Sequence, residues 1–176
     1  MKHILICGGR NSGKSILFER LLNDCRVPLY GFTTGITTTR EDGYHEIYMF
    51  PVRGGDRTER EENHVGSCNM KERTVNIPVF ETLGVKLMEE ARPDGILCMD
   101  ELGFMEAKAP AFCRKVLECL DGEIPVLATV RDGMPEIEFL NRVRSHPGAE
   151  CWHVRPDNID ELYETLSPII ERWNKR

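Results

Sequence analysis

The chain has 176 residues, about one ordinary domain, with 40% hydrophobic and 30% charged residues, a composition that excludes a disordered, fibrous or membrane-embedded chain. A formal net charge of −6 argues against broad attraction to nucleic acid or to an anionic membrane, so any anionic ligand must be captured locally. The seven cysteines include no C-x-x-C pair, and several (Cys7, Cys98, Cys113, Cys119) fall inside apolar segments, as expected of reduced thiols in a cytoplasmic protein.

Met1 leads into the strand-like run His3–Cys7, so no signal peptide is expected, and apolar stretches such as Gly95–Met99 are too short to cross a bilayer. Lys14–Cys25 follows as a helix, with Leu17/Leu21 and Phe18/Leu22 spaced four apart. Further strand-like runs are Leu29–Thr33, Gly95–Met99, Pro125–Val130 and Glu150–Val154, and further helical ones are Glu81–Ala91, Ala109–Leu120, Glu136–Arg144 and Ile159–Trp173. Their alternation predicts an α/β domain with a mainly parallel sheet, spanning residues 1–176. Between Thr33 and Val79 the rhythm breaks: Tyr44–Val52 is β-like and flanked by glycines, which predicts a small antiparallel hairpin or side sheet, and Arg53–Asn63 is a charge-dense surface loop. At the last helix, Asp157 or Asn158 fits the N-cap, with Glu161 three residues beyond Asn158 as a capping-box partner.

Gly8-Gly-Arg-Asn-Ser-Gly-Lys-Ser15 fits the phosphate-loop pattern G-x-x-x-x-G-K-[ST] and lies directly between a strand and a helix, the context that pattern requires. The residues of this candidate nucleotide site are Gly8, Gly9, Arg10, Asn11, Ser12, Gly13, Lys14, Ser15 and Ile16. Glycines let backbone N–H groups turn toward a polyphosphate, and the helix adds its positive N-terminal end. Lys14 is expected on the β- and γ-phosphates, and the Ser15 hydroxyl on Mg²⁺. A second acidic element must oppose the serine, and Gly95–Glu101 supplies it: an apolar run ending in Asp100-Glu101, at the carboxyl edge of a parallel sheet where ligands bind in open α/β folds. Asp100 is assigned to the metal and Glu101 to the attacking water. Alternation along a strand predicts that the two point to opposite faces.

These blocks, with Gly31-Phe-Thr-Thr34, Asp100-Glu-Leu-Gly-Phe-Met-Glu106 and Pro125–Val130, resemble the small THEP-type nucleoside-triphosphatases, the group that includes the cancer-related nucleoside-triphosphatase. The resemblance runs in order through nearly the whole chain. It implies a three-layer, RecA-like P-loop fold in which one strand intervenes between the phosphate-loop and acidic strands, and hydrolysis of nucleoside 5′-triphosphates with broad base tolerance. It also carries Lys14, Ser15, Asp100 and Glu101 over to the family's working positions, and places Asn158 near the base or ribose, with a helix-cap role as the alternative. Gly35 stands where the family usually has glutamate, and the segment from Arg53 to Arg73 matches poorly, so the substrate range stays open.

Two other functions fit the same phosphate machinery: a small-molecule kinase with its acceptor pocket in Thr33–Val79, and a nucleotide-dependent binding switch. Arg131, Arg142 and Arg144 are candidates for neutralising the γ-phosphate, the last two being better placed on a helix that closes over the site. His64 and Cys68 lack the further ligands of a structural zinc. Glu106 suits a helix start, Trp152 and Trp173 suit packing, and Phe32, Tyr44 and Phe104 suit either core packing or stacking on a base.

Overall fold

The computed structural model describes residues 3–69 and 71–176. In chain order the strands are β1 (His3–Gly8), β2 (Leu29–Thr39), β3 (His45–Pro51), β4 (His64–Cys68), β5 (Arg73–Val75), β6 (Ile96–Leu102), β7 (Val126–Arg131) and β8 (Ala149–His153). The helices are α1 (Lys14–Asp24), α2 (Ile77–Val79) running through a π-helical turn, Phe80–Gly84, into α3 (Val85–Glu89), then α4 (Pro110–Asp121), α5 (Glu138–Arg144) and α6 (Ile159–Trp173).

All eight strands form one sheet in the order β5-β4-β3-β2-β6-β7-β1-β8. From β2 to β8 every pairing is parallel, and from β2 outward to β5 every pairing is antiparallel. Strand alternation sorts β1 cleanly between two layers of helix. Ile4 and Ile6 pack with Leu17, Phe18 and Leu21 of α1 and with Leu166, Ile170 and Trp173 of α6. Leu5 and Cys7 belong to the opposite core, with Phe80, Leu87 and Met88 from the α2–α3 stretch, Phe112 and Val116 of α4, and Leu140 and Val143 of α5. The architecture is therefore helix, sheet, helix, as expected for the fold class, with β7 lying between β1 and β6.

Two expectations are corrected. The expected antiparallel hairpin is present as β2–β3, but it forms no side sheet: it continues the main sheet, because β2 runs to Thr39 instead of ending at Thr33. One edge of β2 pairs with β6 only as far as Thr33–Asp100, while the other pairs with β3 from Phe32 to Thr39. Second, Asn158 is the N-cap residue of α6, but its side chain makes no cap hydrogen bond and no capping box with Glu161 forms.

Gly31 sits in β2 with φ +95°, and a Cβ there would run into the carbonyl oxygen of Cys98 on β6. The absent side chain is thus what lets β2 lie close to the acidic strand and bring Thr33 and Thr34 to its end.

Candidate active site

β1 ends at Gly8, and the chain then turns back on itself to enter α1 at Lys14. Asn11 adopts φ 58° and Gly13, the N-cap residue, φ 97°, both in the left-handed region that asparagine and glycine tolerate best. A Cβ on Gly13 would lie 2.5 Å from Cδ1 of Ile159, so the loop is pressed against the start of α6. The loop amides and the first N–H groups of α1 form the positive end expected at an anion site. Ser12 Oγ is buried within the loop without a protein partner among the described residues, while Ile16 is 59% exposed.

Lys14 is 5% exposed, and its ammonium is held at two points. Nζ donates to the Gly9 carbonyl at 2.8 Å and stands 3.3 Å from Glu101 Oε2. The lysine of the first helix and a carboxylate from β6 therefore meet at the same end of the sheet, across the intervening β7.

The two acidic residues do not diverge as strict alternation predicts. Between Met99–Ala128 and Leu102–Val130 the β6–β7 register shifts, so that β6 fits one residue more than β7 over the same span. This bulge carries Asp100 and Glu101 together to the wall of one cavity, which Ser15 and Arg10 also line.

Asp100 is fixed from both neighbouring strands. Thr129 Oγ1 of β7 donates to Oδ1 at 2.5 Å, and Thr33 Oγ1 of β2 donates to Oδ2 at 3.5 Å. Thr34 Oγ1 donates to the Asp100 carbonyl at 3.2 Å and accepts the Glu101 N–H at 3.3 Å. Burial pushes the Asp100 carboxyl up to about 6, with Glu101 adding to the rise and the Thr129 hydroxyl opposing it. A largely buried carboxylate oriented by two hydroxyls, at the wall of the cavity, offers oxygen ligands for a cation.

Glu101 receives a second cation besides Lys14: Nε and Nη2 of Arg131, at the end of β7, each stand 2.7 Å from Oε1. Of the three arginines considered for the γ-phosphate, Arg131 lines this cavity, whereas Arg142 and Arg144 of α5, which the sequence favoured, do not. Arg144 instead braces the end of β7, with Nη1 donating to the Arg131 carbonyl at 2.6 Å, and Arg142 lines a separate groove beside α4. Thr33 and Thr129 lie in the two blocks that carry the family resemblance, but no role was read for their hydroxyls; Thr33 pairs with Asp100 in register, and Thr129 reaches it from β7.

Asn158 is not brought to this cavity. Its Oδ1 accepts the Arg155 N–H at 2.8 Å and its Nδ2 donates to the His153 carbonyl at 3.0 Å, closing the turn between β8 and α6. Phe32 is fully buried against Phe112, the Tyr44 hydroxyl donates to Glu72 at 2.6 Å, and Phe104 lines the cavity. His64 Nε2 lies 2.6 Å from Glu46 Oε2. Glu106 is buried in a short turn, where its carboxylate accepts the Gly103 N–H.

A family model described as NTPase matches residues 3–167. The chain belongs to this NTPase family. Among similar proteins, the nucleoside-triphosphatase THEP1 of Aquifex aeolicus is 31% identical over 107 residues, a match covering 56% of this chain and 58% of that protein's length. THEP1 of Methanothermobacter thermautotrophicus is 26% identical over 95% of each chain, and that of Hyperthermus butylicus 25% identical over 97% of this chain and 91% of its own. The crystal structure of THEP1 from Aquifex aeolicus superposes with a TM-score of 0.76 at 22% identity, covering 97% of this chain and 99% of that one, and so shares the fold. No helix among the described residues is long and apolar enough to cross a membrane.

Proposed function

We propose that this NTPase hydrolyses nucleoside 5′-triphosphates, ATP and GTP among them, to the diphosphate and phosphate in a Mg²⁺-dependent reaction. The observation that carries the reading is the meeting of Lys14 and Glu101, 3.3 Å apart, where a phosphate loop and an acidic strand end converge. Gly9 to Gly13 and Lys14 cradle the phosphates, and the γ end lies toward β6 because Lys14 and the two carboxylates lie there. On binding, Lys14 exchanges the Gly9 carbonyl for phosphate oxygens.

The Ser15 hydroxyl and the Asp100 carboxylate fit Mg²⁺: both are hard oxygen donors, both line one cavity, and this ion commonly takes one or two carboxylates and completes its shell with water and substrate phosphate. When bound, Mg²⁺ neutralises the charge that develops on the phosphate oxygens. Thr129 and Thr33 hold Asp100 in place for that role. Glu101 orients a water for in-line attack on the γ-phosphorus and accepts its proton, and Arg131 is close enough to move from the carboxylate to the transferring group.

Phosphate release measured across several nucleoside triphosphates, with Mg²⁺ and with chelator, tests this directly. Turnover is expected with Mg²⁺ alone, and release that persists unchanged in chelator would remove the metal. Glu101→Gln should bind nucleotide normally and lose about 10²–10⁴-fold in turnover, the usual worth of a positioned acid–base group. Unchanged turnover would take Glu101 out of the reaction.

A further inference from the structure

The attack position opens onto more space than a water needs. β6 leaves the sheet after Leu102, whereas β2 continues to Thr39 along β3, and the gap between that extension and the turn at Gly103–Met105 is a cavity of about 420 Å³. Liquid water occupies about 30 Å³ per molecule, and organic ligands are typically held in sites of about 300–1,000 Å³. The cavity takes in Ser15, Asp100 and Glu101, the residues assigned to Mg²⁺ and the attacking water, and extends past them to Lys71 and Arg73 near β5.

Its chemistry changes along its length. Its apolar lining includes Ile47 of β3, Val65 of β4 and Met105. At the far end the Arg73 guanidinium lies 4.3 Å above the centre of the Phe104 ring, so an exposed cation and an aromatic face occur together. Glu72, between the two cations in sequence, also lines the cavity, and its carboxylate accepts the Tyr44 hydroxyl at 2.6 Å.

We propose that this cavity is a phosphoryl-acceptor site, and that the chain transfers the γ-phosphoryl group to the hydroxyl of a small molecule with an apolar, ring-containing body and an anionic group. The inference rests on the placement of the γ-phosphate in the hydrolase reading. The ring lies over Ile47, Val65 and Met105, the anion meets Arg73 and Lys71, and the hydroxyl reaches Glu101. In the step, the acceptor oxygen bonds to the γ-phosphorus, the bond from that phosphorus to the β,γ-bridging oxygen breaks, and the hydroxyl proton passes to the Glu101 carboxylate. The products are a phosphate ester and the nucleoside diphosphate; with the cavity empty of acceptor, water takes the same position.

The test follows ATP labelled at the γ-phosphate with three probes: benzyl alcohol, para-(hydroxymethyl)benzoate and para-(hydroxymethyl)phenyl phosphate. Label is expected in an organic ester with the two anionic probes and far less with benzyl alcohol, and the better of the two anions tells carboxylate from phosphate. Arg73→Glu should cut transfer to the anionic probes by about tenfold or more, as for a lost charge-assisted hydrogen bond, while phosphate release without probe stays as in the wild type. Label found only in inorganic phosphate with all three probes overturns the acceptor site. Transfer that is unchanged in Arg73→Glu overturns the anionic end. Release from ATP alone reports separately on the hydrolase reading, so either can fail without the other.

Discussion

Glu106 is 2% exposed, and burial pushes its carboxyl from 4.5 up to about 7, opposed by the Gly103 N–H that it accepts. A folded-state value above the unfolded one means that the native chain binds the extra proton between those two values. Stability contributed by this group is therefore fully present below about 4.5 and is lost as pH rises through about 7. The shift corresponds to at most about 3 kcal/mol between the two limits. Glu106→Gln keeps an oxygen for the Gly103 N–H and cannot titrate, so urea unfolding at pH 5 and pH 8 should show a smaller difference for the variant than for the wild type. Equal differences would mean that this carboxyl is solvated in the folded chain. The sequence read Glu106 as structural by its position at a helix start; the structure gives it a hydrogen bond to the Gly103 turn and also places it on the wall of the cavity. Its burial was not legible, because nothing local marks a glutamate as covered by the turn at Gly103 on one side and α4 on the other.

At the level of strands and helices, local pattern was legible wherever an element is buried on both faces or has a clear apolar stripe. β1, β7 and α6 appear within a residue or so of their expected bounds, because the residues that define them fill the core. β2 was read too short for a physical reason: its second half is held by pairing to β3 rather than by burial, and Gly35-Ile-Thr-Thr-Thr39 is exposed, so hydrophobic pattern falls silent just where backbone pairing takes over. The bulge at Asp100-Glu101 is equally hidden, since it depends on register against β7 and not on residue type. The close approach of β2 to β6 makes a sharp prediction. Gly31→Ala must either leave φ +95° or displace the Cys98 carbonyl, and neither strand can yield without disturbing Thr33, Thr34 and Asp100. Denaturant unfolding should show a loss of about 2 kcal/mol or more, with turnover falling in the fraction that still folds. A variant as stable as the wild type would show that the β2–β6 spacing is looser than the contact requires.

Across the whole molecule, the site exists only because distant stretches of sequence converge. Lys14 and Ser15 come from the connection after β1, Asp100 and Glu101 from β6, and Thr129 and Arg131 from β7, three neighbouring strands that are far apart along the chain. The order of those strands could not be derived from periodicity; family resemblance supplied the intervening strand, and the sheet order bears it out. A nucleotide bound as proposed would be held by all of these elements together, so it should bind only the folded chain and add its binding energy to global stability. At a free concentration about 100 times its dissociation constant, a nucleotide should contribute about 2.7 kcal/mol, a rise of roughly 5–10 °C in Tm for a chain of this size. Thermal melts with Mg²⁺ and ATP should show that rise in the wild type. Lys14→Ala, which removes the cation linking the phosphate loop to Glu101, should lose most of it while its melt without nucleotide stays cooperative. A full shift in Lys14→Ala would mean that the nucleotide binds elsewhere on the protein, and the assignment of the phosphate loop would fall with it.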